Sequence, residues 1–226
     1  DSTVVERPGM FRNEIGASFD IARALSDVVR GTLERGEFPL VLAGNCSTAL
    51  GTVTGLDRDV GVVWFDAHAD LHTPDTSPSG FFDGMALAAL IGEGWSELRR
   101  GLAAVHPDNV LLVGARDFDP TERVDAVRRA DARSLERALD ELTADAVYVH
   151  IDLDVLDAAE ARANDWASEG GFTAAELDIA LDAIAARFEV VAAAFTAYDP
   201  RFDEDGRVPR IAASLVPRLL RAEVAS

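Results

Sequence analysis

At 226 residues, 48% of them hydrophobic, the chain is long enough for one sizeable core and short for two domains. A formal net charge of −19 would repel nucleic acid and anionic membranes, so neither is expected as a partner. A single Cys excludes an internal disulfide, and the apolar runs are broken by Asp, Arg or Gly well before they could span a bilayer. The opening Asp1-Ser2-Thr3 has none of the basic-then-apolar character of a secretory signal, and a cytoplasmic chain is expected. No initiator Met is present, so a first strand of the fold could lie upstream. All basic residues are Arg, a compositional bias to which no function attaches.

In chain order, Ile21, Leu25, Val28, Val29 and Leu33 form the apolar stripe of a first helix. Short apolar runs follow at residues 38–42, 60–65, 110–113, 146–151 and 190–195. They are nearly continuous rather than alternating, the pattern of strands buried on both faces. Before the last of them, Leu177, Ile179, Leu181, Ile184 and Phe188 mark a further helix. Strand–helix alternation of this kind predicts an α/β protein: a three-layer α/β/α sandwich with a mostly parallel central sheet, in one domain over residues 1–226.

In such sheets the ligand site lies beyond the carboxyl ends of the strands. The chemically distinctive residues fall there: Cys46 after the first run, Asp66 to Asp70 after the second, Asp117 and Asp119 after the third, Asp152 and Asp154 after the fourth. On an extended stretch, residues two apart share a face, so Asp66, His68 and Asp70 can converge. Asp152 and Asp154 repeat that spacing. Asp also favours turns and helix N-caps, an equally good account of either segment alone. Taken together, carboxylates this dense with no Arg in either segment repel one another unless a cation neutralises them. Carboxylate oxygens with one imidazole suit Mn²⁺, with Zn²⁺, Fe²⁺ or Co²⁺ as alternatives, and two ions could share bridging carboxylates.

Asp66-Ala67-His68-Ala69-Asp70 resembles the D-A-H-x-D signature of the arginase/agmatinase (ureohydrolase) family, and residues 152–157 resemble its D-x-D-x-x-D signature. Ser79-Gly80-Phe81-Phe82-Asp83-Gly84 stands where arginases carry S-G-N-x-H-G, and residues 114–120 resemble their G-x-R-D-x-D-P loop. The resemblance runs from about Leu40 to Asp203 and implies an arginase-like fold and self-association into a homo-oligomer. It implies that Asp66 and Asp152 bridge two Mn²⁺ ions, with His68 and Asp154 completing one site and Asp70 belonging to the other, though the number held, one or two, stays open. Ser79 and Asp119 would contact the substrate, a small molecule whose planar carbon, bonded to nitrogen, is attacked by metal-bound hydroxide.

Four departures from the family pattern bear on the substrate. Cys46 replaces a ligand His in Gly44-Asn45-Cys46-Ser47; a thiolate ligand is softer and favours Zn²⁺, while the alternative is an inert buried thiol. Ala197 stands where the family has the Glu that binds guanidinium, with Asp199 as a compensating carboxylate if the strand stays extended. Asp83 replaces a His treated as a proton shuttle and could act as a base, pair with a substrate cation, or cap the helix that follows. His72 replaces a substrate-binding Asn and could serve as acid or base, or donate a hydrogen bond. His106 reads as a surface residue, and His150 as either a support for the ligand Asp152 or a core histidine. The expectation is a metal-dependent hydrolase of a C–N bond in a guanidine-like, amidine or amide-like molecule. The alternatives are Nω-hydroxy-L-arginine hydrolysis, the activity associated with the His-to-Cys change, and a metal-binding or ligand-sensing homologue without activity.

Overall fold

The computed structural model describes residues 1–10 and 13–220. Its first helix, α1 (Glu14–Glu34), starts at Asn13, whose side chain accepts from the Gly16 N–H at 2.7 Å, and buries Phe19, Ala22, Leu25 and Val29. The chain then enters β1 (Leu40–Leu42) and, after a 3₁₀ turn at Cys46–Thr48, α2 (Ala49–Leu56). Gly51 and Gly55 let α2 cross α1 at backbone contact: a Cβ on Gly51 would sit 2.4 Å from the Ala22 carbonyl oxygen, and one on Gly55 2.6 Å from that of Ser26. This crossing fixes the turn that carries Cys46.

The remaining elements are β2 (Gly61–Phe65), α3 (Ala86–Leu90), β3 (Val110–Val113), β4 (Arg128–Ala130), α4 (Leu135–Leu139), β5 (Ala146–Asp152), α5 (Ala174–Ala185), β6 (Glu189–Thr196) and α6 (Arg207–Leu219). Thr173 and Glu176 form a capping box at the start of α5. The six strands make one sheet in the order β1-β6-β5-β2-β3-β4, and every neighbouring pair is parallel.

Alternate strand residues feed two separate cores. Val62, Trp64, Leu112, Tyr148 and Ala194 pack toward α1, α2 and α3, while Val63, Phe65, Leu111, Val149 and Phe195 pack toward α4, α5 and α6. That is the three-layer sandwich the strand–helix alternation predicts. Two details differ from the sequence reading. β4 is a short strand with half-exposed ends and carries no continuous apolar run. Ile179, assigned to the buried stripe of α5, is 65% exposed; the core face is Leu177, Ala180, Leu181 and Ile184. Among the described residues, no helix is long and apolar enough to cross a membrane.

The topology positions the site. From β2 the chain moves outward to β3 and β4, then returns so that β5 lies on the other side of β2. The carboxyl ends of β2 and β5 therefore bound the switch point where open parallel sheets bind ligands. Asp66 follows β2 directly and Asp152 ends β5.

Candidate metal centre

Neither acidic segment is extended. Asp66 Oδ1 accepts from the His68 N–H at 2.7 Å, and Asp152 Oδ1 accepts from the Asp154 N–H at 2.9 Å, so each first Asp closes a tight turn on the residue two further on. Convergence thus comes from two matching turns, not from a shared face of a strand. Asp70 completes the first segment in a left-handed conformation, φ +53°. The turn reading of these aspartates holds and does not exclude a metal: each turn uses Oδ1 and leaves Oδ2 to Trp64 in Asp66 and to Cys46 in Asp152.

The side chains meet in two groups. One donor atom each from Cys46, Asp66 and Asp70 lies within 4.8 Å of the others, and the same is true of Asp66, His68 and Asp154, so Asp66 is common to both. Asp152 adjoins the first group through Cys46, whose Sγ lies 2.9 Å from its Oδ2. His68 Nδ1 stands 3.4 Å from both Asp66 and Asp154. Three further contacts orient the carboxylates. Trp64 Nε1 donates to Asp66 Oδ2 (3.0 Å), the Ala67 N–H to Asp154 Oδ1 (3.2 Å), and Asn164 Nδ2 to Asp154 Oδ2 (3.1 Å). Arg116 braces the second turn from outside, donating to the carbonyls of Asp154, Leu156 and Ser168. No Arg forms an ion pair with Asp66, Asp70, Asp152 or Asp154 among the described residues.

The electrostatics are those of crowded, buried acids with His68 as the one basic group among them. Burial pushes Asp66 up to about 6, and burial with the neighbouring carboxylates raises Asp70 and Asp152 well above the usual range. Burial and the same acids raise the Cys46 thiol. Burial would raise Asp154 as well, but His68 beside it holds it below the usual value. Burial alone would lower the His68 imidazole; Asp154 and Asp66 outweigh it and push it up to about 12. Asp70 Oδ2 is buried with no hydrogen-bond partner. A buried carboxylate oxygen without a donor costs several kcal/mol unless a cation takes it. The donor set fits divalent metal: four carboxylates, one imidazole and one sulfur, with an orphaned oxygen among them.

The groups open into a cleft of about 890 Å³ also lined by His72, Ser79, Phe81, Asp83, Asp117, Asp119, Glu122, Trp166 and Ala197. His72 Nε2 is 3.8 Å from Asp119 Oδ2, and Ser79 Oγ accepts from the Phe81 N–H. Asp83 does not cap its own helix. Its oxygens accept from Asn45 Nδ2 and the Ser47 N–H, both at 3.0 Å, and so cap the turn that carries Cys46. Burial raises Asp83, the hydrogen bonds opposing it.

Ala197 has φ +61°, so the strand does not stay extended; Asp199 lines the same cleft, but there it pairs with Arg201 and caps the turn at Pro200–Phe202. His106 is exposed and outside the cleft. Asn164, Glu122 and Trp166 were not identified from sequence. Asn164 and Trp166 lie in an irregular loop without periodicity, and Glu122, which holds the Leu71 N–H at 2.8 Å, follows a motif by two residues.

A sequence model of the arginase family matches residues 9–221. An arginase of Bacillus caldovelox is 33% identical over 224 residues, 90% of this chain and 74% of the relative. One of Brevibacillus brevis is 35% identical over 213 residues, 85% of this chain and 72% of the relative. The crystal structure of an arginase from Bacillus cereus superposes with a TM-score of 0.85 at 31% identity, covering 94% of this chain and 81% of that one.

Proposed function

The chain belongs to the arginase family, and from that premise we propose that it is a metal-dependent hydrolase of a C–N bond in a small guanidine-like, amidine or amide-like molecule. The observation that carries the reading is the pair of donor groups joined at Asp66, with Asp70 Oδ2 left unpartnered between buried acids. Cys46, Asp66, His68, Asp70, Asp152 and Asp154 would hold the metal, one or two Mn²⁺ ions with Zn²⁺ as the alternative. When bound, the ions supply a water nucleophile at neutral pH and Lewis-acid stabilisation of charge developing on the substrate.

The chain's own residues then divide the remaining work. Asn164 and the Ala67 N–H keep Asp154 turned toward His68. Asp83, Asp117, Asp119 and Glu122 give the cleft a negative rim that attracts a cationic head group. Each Asp83 oxygen can accept a second hydrogen bond, so the side chain can still receive a substrate N–H. His72, whose Nε2 lies 3.8 Å from Asp119 Oδ2, is the group proposed to move a proton at Nε2 to the departing nitrogen. Ser79 and Asp119 are the proposed substrate contacts.

The cleft has no carboxylate at position 197, where the family's guanidinium-binding Glu belongs, and Asp199 is committed to Arg201. Unsubstituted arginine is therefore the less favoured substrate, and hydrolysis of an N-hydroxyguanidine stands as the alternative. The test is a screen of guanidino acids, N-hydroxyguanidines, amidines and formamides against protein loaded with Mn²⁺ or Zn²⁺. Metal-dependent turnover of at least one of these compounds is expected, with hydroxyurea as product if it is the N-hydroxyguanidine. A protein that binds metal and turns over none of these compounds is the non-enzymatic homologue instead.

A further inference from the structure

Behind the candidate ligands lies a buried polar run that the proposed reaction does not use. Tyr148, His150 and Thr196 are each fully buried, and His150 is stacked on Trp64 at 3.7 Å between ring centroids. β5 and β6 place them: Tyr148, His150 and Asp152 alternate onto one face, and Thr196 is the register partner of Asp152. The distances link them in order. Tyr148 OH lies 2.8 Å from His150 Nδ1, His150 Nε2 3.2 Å from Thr196 Oγ1, and Thr196 Oγ1 3.1 Å from Cys46 Sγ.

One assignment of donors and acceptors satisfies these contacts in series. The Cys46 S–H points at Asp152 Oδ2, an acceptor, so the contact between sulfur and Thr196 takes its proton from the Thr hydroxyl. The Ile151 carbonyl, at 3.5 Å, is the weaker target for that hydroxyl. Thr196 Oγ1 then accepts from His150 Nε2–H, which leaves Nδ1 of a neutral ring as an acceptor for the Tyr148 hydroxyl. In that assignment all three donations run the same way and end on Sγ. Hydrogen bonds in series polarise one another, so the run favours negative charge at the sulfur.

We propose that Thr196, His150 and Tyr148 are positioning residues that aim the Cys46 sulfur into the metal centre and stabilise it as a ligand. Buried polar groups that merely satisfy one another have no need to align on a single atom. A sulfur held by a donated hydrogen bond is fixed in direction, as the partners of metal-bound imidazoles fix the ring. The inference rests on the metal-centre reading above but concerns only how Cys46 is held.

The test uses the full chain loaded with Co²⁺, read by sulfur-to-cobalt charge-transfer absorption and by chelator competition. The parent protein shows the sulfur band and Cys46→Ser removes it. Thr196→Val keeps the side-chain shape without the hydroxyl; it shifts and weakens the band and lowers Co²⁺ affinity about 10–100-fold. Thr196→Ser restores both. Tyr148→Phe, which leaves Thr196 in place, moves the band in the same sense by less, and supplies the answer if Thr196→Val does not fold. A parental band and affinity in Thr196→Val, or in Tyr148→Phe where that variant stands in for it, overturns the proposal. So does a parent that binds Co²⁺ without a sulfur band, a result that leaves the metal centre itself intact. A parent that binds no Co²⁺ sinks both.

Discussion

Removing the divalent ions and changing the pH should expose how much of the metal centre is strained without them. Asp66 is 1% exposed, and its rise from the usual 3.8 to about 6 corresponds to roughly 3 kcal/mol. Because the folded-state value is raised, this stability is fully present below pH about 4 and is lost as the pH climbs through about 6. Roughly 1 kcal/mol of it falls between pH 5 and 7. Asp70 and Asp152 are raised too and carry the loss to higher pH. His68, pushed up to about 12, contributes stability that is complete below its usual 6.5 and is lost as the pH rises toward 12. Asp154, held low, runs the other way: its contribution is lost as the pH falls, which softens the slope only at the acid end. Metal reverses the trend, because the ligands must shed protons to bind it and affinity therefore grows with pH. Ion at a hundred times its Kd adds about 2.7 kcal/mol. The assay is urea unfolding at pH 5, 6 and 7, with chelator or with Mn²⁺, followed by tryptophan fluorescence; Trp64, bonded to Asp66, reports from the site. The gap between loaded and chelated protein should widen steadily from pH 5 to 7. A gap that stays constant or narrows refutes the reasoning.

Three substitutions extend the account. Cys46→His should tighten Mn²⁺ binding, by replacing a soft donor with an imidazole, and leave Zn²⁺ less favoured; titration of each ion measures this, and no change would make the sulfur a bystander. Asn164→Ala should weaken metal binding about 10–100-fold with little change in folding, since the amide holds both Asp154 and the Ala197 carbonyl. Gly171→Ala places a methyl 2.4 Å from the Val155 carbonyl oxygen and 2.7 Å from the Asp157 nitrogen, so the turn after β5 must move. A loss of about 1–3 kcal/mol in denaturant unfolding is expected, with weaker metal binding.

The layered fold was legible because buried parallel strands advertise themselves as unbroken apolar runs, and β2, β3, β5 and β6 each do so. β4 was not, since Arg128-Arg129-Ala130 lies at the sheet edge and pairs on one side only. The acids of the site could be named because motif spacing marks them, yet the reason they converge could not. Spacing by two suggests an extended stretch, whereas Asp66 and Asp152 fold the backbone back with their own carboxylates. Asp199 does reach the cleft, but not along an extended strand, as the left-handed Ala197 turns the chain and Arg201 pairs with the carboxylate. Supports such as Thr196 and Arg116 reach the site across long sequence separations, and only the folded chain puts them beside it.

Diffraction from crystals grown with Mn²⁺, collected at the manganese absorption edge, addresses the central point most directly. Anomalous density should lie against the Asp66 carboxylate, flanked by His68 and Asp154 on one side and by Asp70 and Cys46 on the other. An ordered site with no such density, its acids met by protons or by protein donors instead, would contradict the account.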